Sequence, residues 1–148
     1  MKIIETKVTK KLLTGLKALD PVTFIAEDLG NEGGKLTVDC FGQAWTAYWG
    51  AMGWDSVAEF INDCDVHYIA NKLSTIDSTV VDYDKVGSKI GVSVDKDSMP
   101  YYVDDLISAY GAEWWEELPK TDNSDYVYLC RIISAVKDAV KTELAEST

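Results

Sequence analysis

Three cysteines and a single histidine are the side chains best suited to hold a metal or to act as nucleophile and base. Cys64-Asp-Val-His67 sets a thiol and an imidazole three residues apart, with Cys40 available as a third ligand. A zinc site takes about four nitrogen or sulfur ligands, usually from paired motifs. One C-x-x-H without a second pair falls short of that. The plainer reading is a core cysteine on one helix and a hydrogen-bonded histidine on the next, so neither a metal nor any other cofactor is expected. Nucleophilic catalysis also lacks its parts. His67 is the only base to partner Cys40, Cys64 or Cys130, and the pattern offers no third group to orient it. Neither a G-x-S-x-G elbow nor a phosphate-cradling G-x-x-x-x-G-K-[ST] loop occurs.

Carboxylates are abundant, but their spacing suits solvent better than catalysis. Asp82-Tyr-Asp84 opens like a calcium loop, yet the fifth and twelfth positions are Val86 and Ser93, where oxygen ligands are needed. Asp95-Lys-Asp97 fails at its twelfth position, Leu106. Asp104-Asp105 and Glu116-Glu117 are adjacent pairs, and neighbours on a helix point about 100° apart, which does not make a glycosidase dyad. The chain is expected not to be an enzyme.

The distribution of charge says more. Residues 1–53 carry six basic and six acidic side chains, and residues 129–148 carry three of each. The intervening 54–128 hold 16 acids against five lysines, so the whole net charge of −11 lies there. Binding nucleic acid through its phosphates needs clustered Lys and Arg, and is not expected. With only one arginine, Arg131, the chain is also poor in the bidentate groups that grip phosphate planes. The segment instead suits a partner with a basic surface.

Five tryptophans add a second feature. Trp45, Tyr48 and Trp49 fall in one strand-like run, Trp45-Thr-Ala-Tyr-Trp49-Gly-Ala-Met-Gly-Trp54. They read either as core under helices or, alternatively, as an aromatic sheet face for a small ligand or single-stranded nucleic acid. Trp114 and Trp115 are adjacent and flanked by Glu113, Glu116 and Glu117, so one of them should face outward among acids. The expected partner-binding face is therefore Asp104, Asp105, Glu113, Trp114, Trp115, Glu116 and Glu117. Val103, Leu106, Ile107 and Tyr110 should turn inward beneath it.

The elements that position these residues follow from periodicity and punctuation. Residues 3–9 read as an edge strand whose lysines discourage pairing. Residues 22–27 and 35–41 alternate as a hairpin about Asp28-Leu-Gly-Asn-Glu-Gly-Gly, with Leu36, Val38 and Cys40 on one face. A turn or bulge at Gly42 leads to a strand over 44–52, in which Trp45, Ala47, Trp49 and Ala51 share a face. Ser56-Val-Ala-Glu59 is a capping box opening a helix, and a second helix starts at Asp65 with Val66, Ile69 and Leu73 inward. Residues 74–97 read as loop or short strands. A helix about Pro100 ends at Gly111. The last helix carries Tyr126, Cys130, Ile133, Val136, Val140 and Leu144 at spacings of three and four.

The expected fold is α+β: an N-terminal antiparallel meander of three or four strands packed by three or four C-terminal helices. It forms a single domain over 1–148, with a sheet part at 1–53 and an acidic helical part at 54–148. No run approaches the ~20 apolar residues of a membrane span. Met1-Lys-Ile-Ile-Glu-Thr-Lys lacks the apolar core of a secretion signal, and three widely spaced cysteines fit reduced thiols. A cytoplasmic protein that avoids membranes is expected.

The run Leu36-Thr-Val-Asp-Cys-Phe-Gly-Gln-Ala-Trp-Thr-Ala-Tyr-Trp-Gly-Ala-Met-Gly, followed by Phe60-Ile and Tyr68-Ile-Ala-Asn-Lys-Leu73, resembles a family of small proteins of temperate phages and prophages of enteric bacteria. The resemblance spans about residues 3–75 and leaves 76–128 peculiar to this chain. It implies an accessory gene expressed inside a bacterial host cell. It supplies no catalytic or binding residue. Small acidic phage proteins often bind host proteins, including restriction and CRISPR components. The resemblance and the acidic segment together lead to an expected anti-defence inhibitor. In its strongest form it mimics DNA to occlude a basic surface of a host defence or nucleic-acid-handling protein.

Overall fold

The computed structural model describes residues 1–147. The chain forms two compact units, Met1–Ile76 together with the chain from Val127 onward, and Asp77–Tyr126.

The first unit is built on the antiparallel meander β1 (Thr9–Leu13), β2 (Val22–Gly30), β3 (Gly33–Cys40) and β4 (Gln43–Trp49), in that spatial order. Short turns fix the register. Asn31 and Glu32 both take positive φ (52° and 63°), the backbone of a two-residue hairpin whose twist matches its strands. Phe41 and Gly42 repeat the device between β3 and β4. With register so set, Phe24 pairs with Val38 and Val38 with Trp45, while Ala26 pairs with Leu36 and Leu36 with Ala47. One face of the sheet is therefore apolar from β2 to β4. Gly34 sits opposite Trp49, and a Cβ there would come within 2.6 Å of Val57 Cγ2, so only glycine lets the next helix lie that close.

The first strand is displaced from its expected place. Residues 3–8 are exposed and outside the sheet, and pairing begins at Thr9 opposite Ala26. The stretch 3–9 has the better β composition, but Leu13 opposite Val22 is what the connection to β2 permits. That connection is pinned from the C-terminal helix: the Arg131 guanidinium donates to the carbonyls of Lys17 and Ala18, and the Tyr128 hydroxyl donates to the Asp20 carboxylate (2.9 Å).

Three helices of this unit follow the expected punctuation. The helix α1 (Val57–Asp63) is capped by Ser56, whose Oγ accepts from Glu59 N–H (3.2 Å). The Ser56 hydroxyl also donates to the Glu59 carboxylate (3.0 Å), a variant of the expected reciprocal box, worth about 1 kcal/mol. Asp65 caps α2 (Val66–Leu73), where Ile69, Ala70 and Leu73 are buried and Val66 is only half so. The long α6 (Ser124–Glu146), which belongs to this unit from Val127 onward, buries Leu129, Ile132, Ile133, Val136 and Val140 there, and Tyr126 in its first turn is buried too. Against the expected stripe it adds Leu129 and Ile132, while Cys130 and Leu144 are only half-buried.

The second unit holds a two-stranded antiparallel ribbon, β5 (Thr79–Val81) with β6 (Lys120–Asp122). Between them run α3 (Tyr83–Ile90), a 3-10 turn at Met99–Tyr102, α4 (Val103–Tyr110) and α5 (Trp114–Glu117). Its core is Val86, Val94, Leu106 and Leu118, flanked by half-buried Tyr83, Ile90, Tyr102, Tyr110 and Trp114. The ambiguous segment 74–97 thus contains one short strand and one helix. In that helix Gly87 is buried, and a Cβ there would meet the Val92 carbonyl oxygen at 2.6 Å.

Candidate partner-binding face

The acidic segment of interest runs from the 3-10 turn through α5. Ser98, Pro100 and Gly111 frame it as helix punctuation demands. Pro100 occupies the first turn, where its missing N–H costs nothing, and Gly111 ends α4 at φ 97°. Upstream, Asp95 Oδ1 accepts from the backbone N–H groups of Ser98 (2.8 Å) and Asp97 (2.9 Å), while Ser98 Oγ accepts from Asp95 N–H (2.9 Å). The Asp95 carboxylate thus accepts from backbone donors of its own turn. Asp82 likewise accepts from Lys85 N–H as the cap of α3.

The Ser98 and then the Asp97 N–H groups hold the Asp95 carboxyl below its ordinary range. A depressed folded-state value stabilises the turn above the ordinary aspartate range, and that contribution is lost as pH falls through the depressed value. In a side-chain NMR titration, Asp95 is expected to protonate at lower pH than an ordinary aspartate. Titration in the ordinary range would show that this turn is not formed in solution.

Of the expected face, Asp104, Asp105, Glu113, Glu116 and Glu117 are all exposed. None of the five is in an ion pair among the described residues. The tryptophans divide their roles. Trp114 is half-buried against the unit's core, and Trp115 is 55% exposed. Their rings meet edge to face with centroids 5.8 Å apart, so the half-buried indole orients the exposed one.

The expected inward stripe of α4 needs correction. Leu106 is fully buried and Tyr110 partly so, but Val103 and Ile107 are exposed. At about 100° per residue, Leu106 and Tyr110 define the inward direction, and Val103 and Ile107 fall on one flank. Asp105 falls on the other flank, with Asp104 on the crown. The 3-10 turn adds Tyr101, which is 86% exposed. The segment is thus mixed: it exposes apolar Tyr101, Val103, Ile107 and Trp115 as well as the five carboxylates. Sequence periodicity missed this because a small core covers only a narrow stripe of α4.

The other candidates separate. Trp49 is buried, its Nε1 donates to the Tyr68 hydroxyl (3.0 Å), and its ring meets Phe60 edge to face at 5.1 Å. Trp45 is half-buried, while Tyr48 is exposed on the opposite face of the sheet. Trp45, Tyr48 and Trp49 therefore form no common platform, because alternation along β4 sends them to two faces and α1 and α2 cover one of these. The sulfur and imidazole groups also part. Cys40 Sγ lies 3.6 Å from the Tyr128 hydroxyl, whereas His67 Nδ1 lies 3.8 Å from Cys130 Sγ. Among the described residues no three His, Cys, Asp or Glu side chains gather as metal ligands. No described helix is long and apolar enough to cross a membrane.

The fold and this face define an α+β protein that presents an acidic, aromatic-studded surface. Its kinship is recorded in the sequence: the model of the phage family phiTE_072 matches residues 1–142, and the chain belongs to that phage family. The match extends well beyond residue 75 and takes in 76–128, so those residues are not peculiar to this chain. No curated protein and no solved structure matches it.

Proposed function

We propose that this phage protein is a non-enzymatic binder that occludes a basic surface of a host defence or nucleic-acid-handling protein. The segment 101–117 supports the reading: it bears five exposed carboxylates in no ion pair among the described residues, together with an exposed indole, Trp115, that packs edge to face on the half-buried Trp114. The unit that bears it, Asp77–Tyr126, has 12 acids against four lysines. Carboxylates of this density raise the encounter rate with a cationic groove, and Trp115, with Val103 and Ile107 nearby on the segment, supplies the desolvated contact that sets affinity. In the DNA-mimic form of the proposal, the carboxylates occupy positions that phosphates would take in the partner's groove.

The test is retention of host proteins on the immobilised chain at ~100 mM and ~500 mM salt, since screening weakens charge-led association. A partner recovered at the lower salt should itself bind nucleic acid and release it when the free chain is added. Failure to recover any partner at either strength, or a partner whose nucleic-acid binding is untouched, would overturn the proposal.

A further inference from the structure

The three thiols of the first unit stand in unlike surroundings. Cys40 is on the inner face of β3, 3% exposed, with the Tyr128 hydroxyl 3.6 Å from its sulfur. Cys64 closes α1 and is half-buried. Burial first, and then the charge of Asp63, push its thiol up, against a smaller opposing pull from Lys137. Its thiol therefore ionises less readily than an ordinary cysteine's. Cys130 is different. It lies on α6, half-buried, with its Sγ 3.8 Å from Nδ1 of His67, an exposed residue of the first turn of α2.

That turn is fixed. The His67 backbone N–H donates to the Asp65 carboxylate (2.7 Å), which caps α2, so the ring springs from a rigid point. The neighbouring cation, Arg131, is engaged elsewhere, donating to the carbonyls of Lys17 and Ala18. The residues of the pair lie 63 positions apart in sequence and meet only because the unit folds α2 and α6 together.

We propose that Cys130 and His67 form a thiol–imidazole pair, and that Cys130 is the site at which small disulfides and soft electrophiles modify this protein. His67 Nδ1 accepts the thiol proton, and the Cys130 thiolate attacks one sulfur of a low-molecular-weight disulfide. The new S–S bond forms as the old one breaks, and the departing thiolate is protonated from the imidazolium or water. The product is a mixed disulfide on Cys130, with no net oxidation beyond that carried by the incoming disulfide. An alkyl halide reacts in the same way, with halide as the leaving group.

The test uses the full chain, limiting iodoacetamide and peptide mass spectrometry to read each cysteine separately. Cys130 is expected to react roughly ten-fold faster than Cys64, with Cys40 slowest. His67→Ala and His67→Gln should each slow Cys130 by about ten-fold while leaving the rates of Cys64 and Cys40 unchanged. Glutamine retains size and hydrogen bonding without basicity, so the paired variants separate proton acceptance from mere packing. Continued protection of Cys40 reports that the unit remains folded. Glutathione disulfide should form its mixed disulfide at Cys130. The proposal is overturned if Cys130 is no faster than Cys64, if its rate survives in His67→Gln, or if glutathione disulfide leaves it unmodified.

Discussion

Leu106→Ala is expected to destabilise the second unit by about 2–5 kcal/mol, the cost of removing a buried leucine and leaving its cavity. Leu106 is fully buried and belongs to the four-residue buried cluster at that unit's core. Small cores carry little surplus stability, so a loss of this size is comparable to what a unit of 50 residues has in total. Amide exchange in α3 and α4 should therefore accelerate strongly, since both helices bury their apolar stripes on this cluster. Gly87→Ala should act in the same direction by another route, because its Cβ would collide with a backbone carbonyl that cannot move aside cheaply. Unchanged exchange in α3 and α4 for both variants would show that the core is not where the structure places it.

These same positions explain how far the sequence could be read. The β2–β4 part of the meander was legible because its alternation and its turn residues agree: Leu36, Val38 and Cys40 alternate with Thr37 and Asp39, and two-residue turns close the β2–β3 and β3–β4 hairpins. The caps at Ser56 and Asp65 were legible for the same reason, since one side chain and one backbone donor decide each. The helix α3 was not. Its apolar positions, Tyr83, Val86 and Ile90, have helical spacing, but a glycine sits in its middle and serines and lysines surround it. Gly87 is there for a close approach by the Val92 carbonyl, a tertiary reason invisible to local pattern.

The candidate face was legible in its charges and only half so in its apolar groups. Adjacency told that Trp114 and Trp115 must diverge, and they do, but nothing local fixed which of them would be buried. Their helical spacing alone places Val103 and Ile107 inward, where hydrophobic residues at that spacing ordinarily lie. How wide a stripe a helix buries depends on the size of what lies beneath it. Here that is the four-residue core, and its narrowness leaves Val103 and Ile107 exposed. The pairing of His67 with Cys130 rather than with Cys64 was likewise beyond reach, since it depends on how two helices distant in sequence come to lie together.

The joint variant Asp104→Asn, Asp105→Asn, Glu113→Gln, Glu116→Gln and Glu117→Gln is expected to fold with stability near the parent's. The five carboxylates are exposed and unpaired in the described structure, and solvated charges of that kind contribute within about 0.5 kcal/mol each. Association with the partner should slow by roughly 10- to 100-fold at low salt, because the attraction that steers encounter has been removed. The difference from the parent should shrink as salt rises. Trp115→Ala should show the opposite kinetic signature. It leaves the field intact and removes an exposed anchor, so affinity should fall by about 2 kcal/mol or more, chiefly through faster dissociation. Trp114→Ala is the structural control: that indole packs on the core, and its loss should lower stability as well as binding. Surface plasmon resonance across a salt series, with thermal unfolding of each variant, distinguishes all three. A five-site variant that associates as fast and binds as tightly as the parent would remove this face from consideration. The binding surface would then lie on the sheet or on residues 74–97.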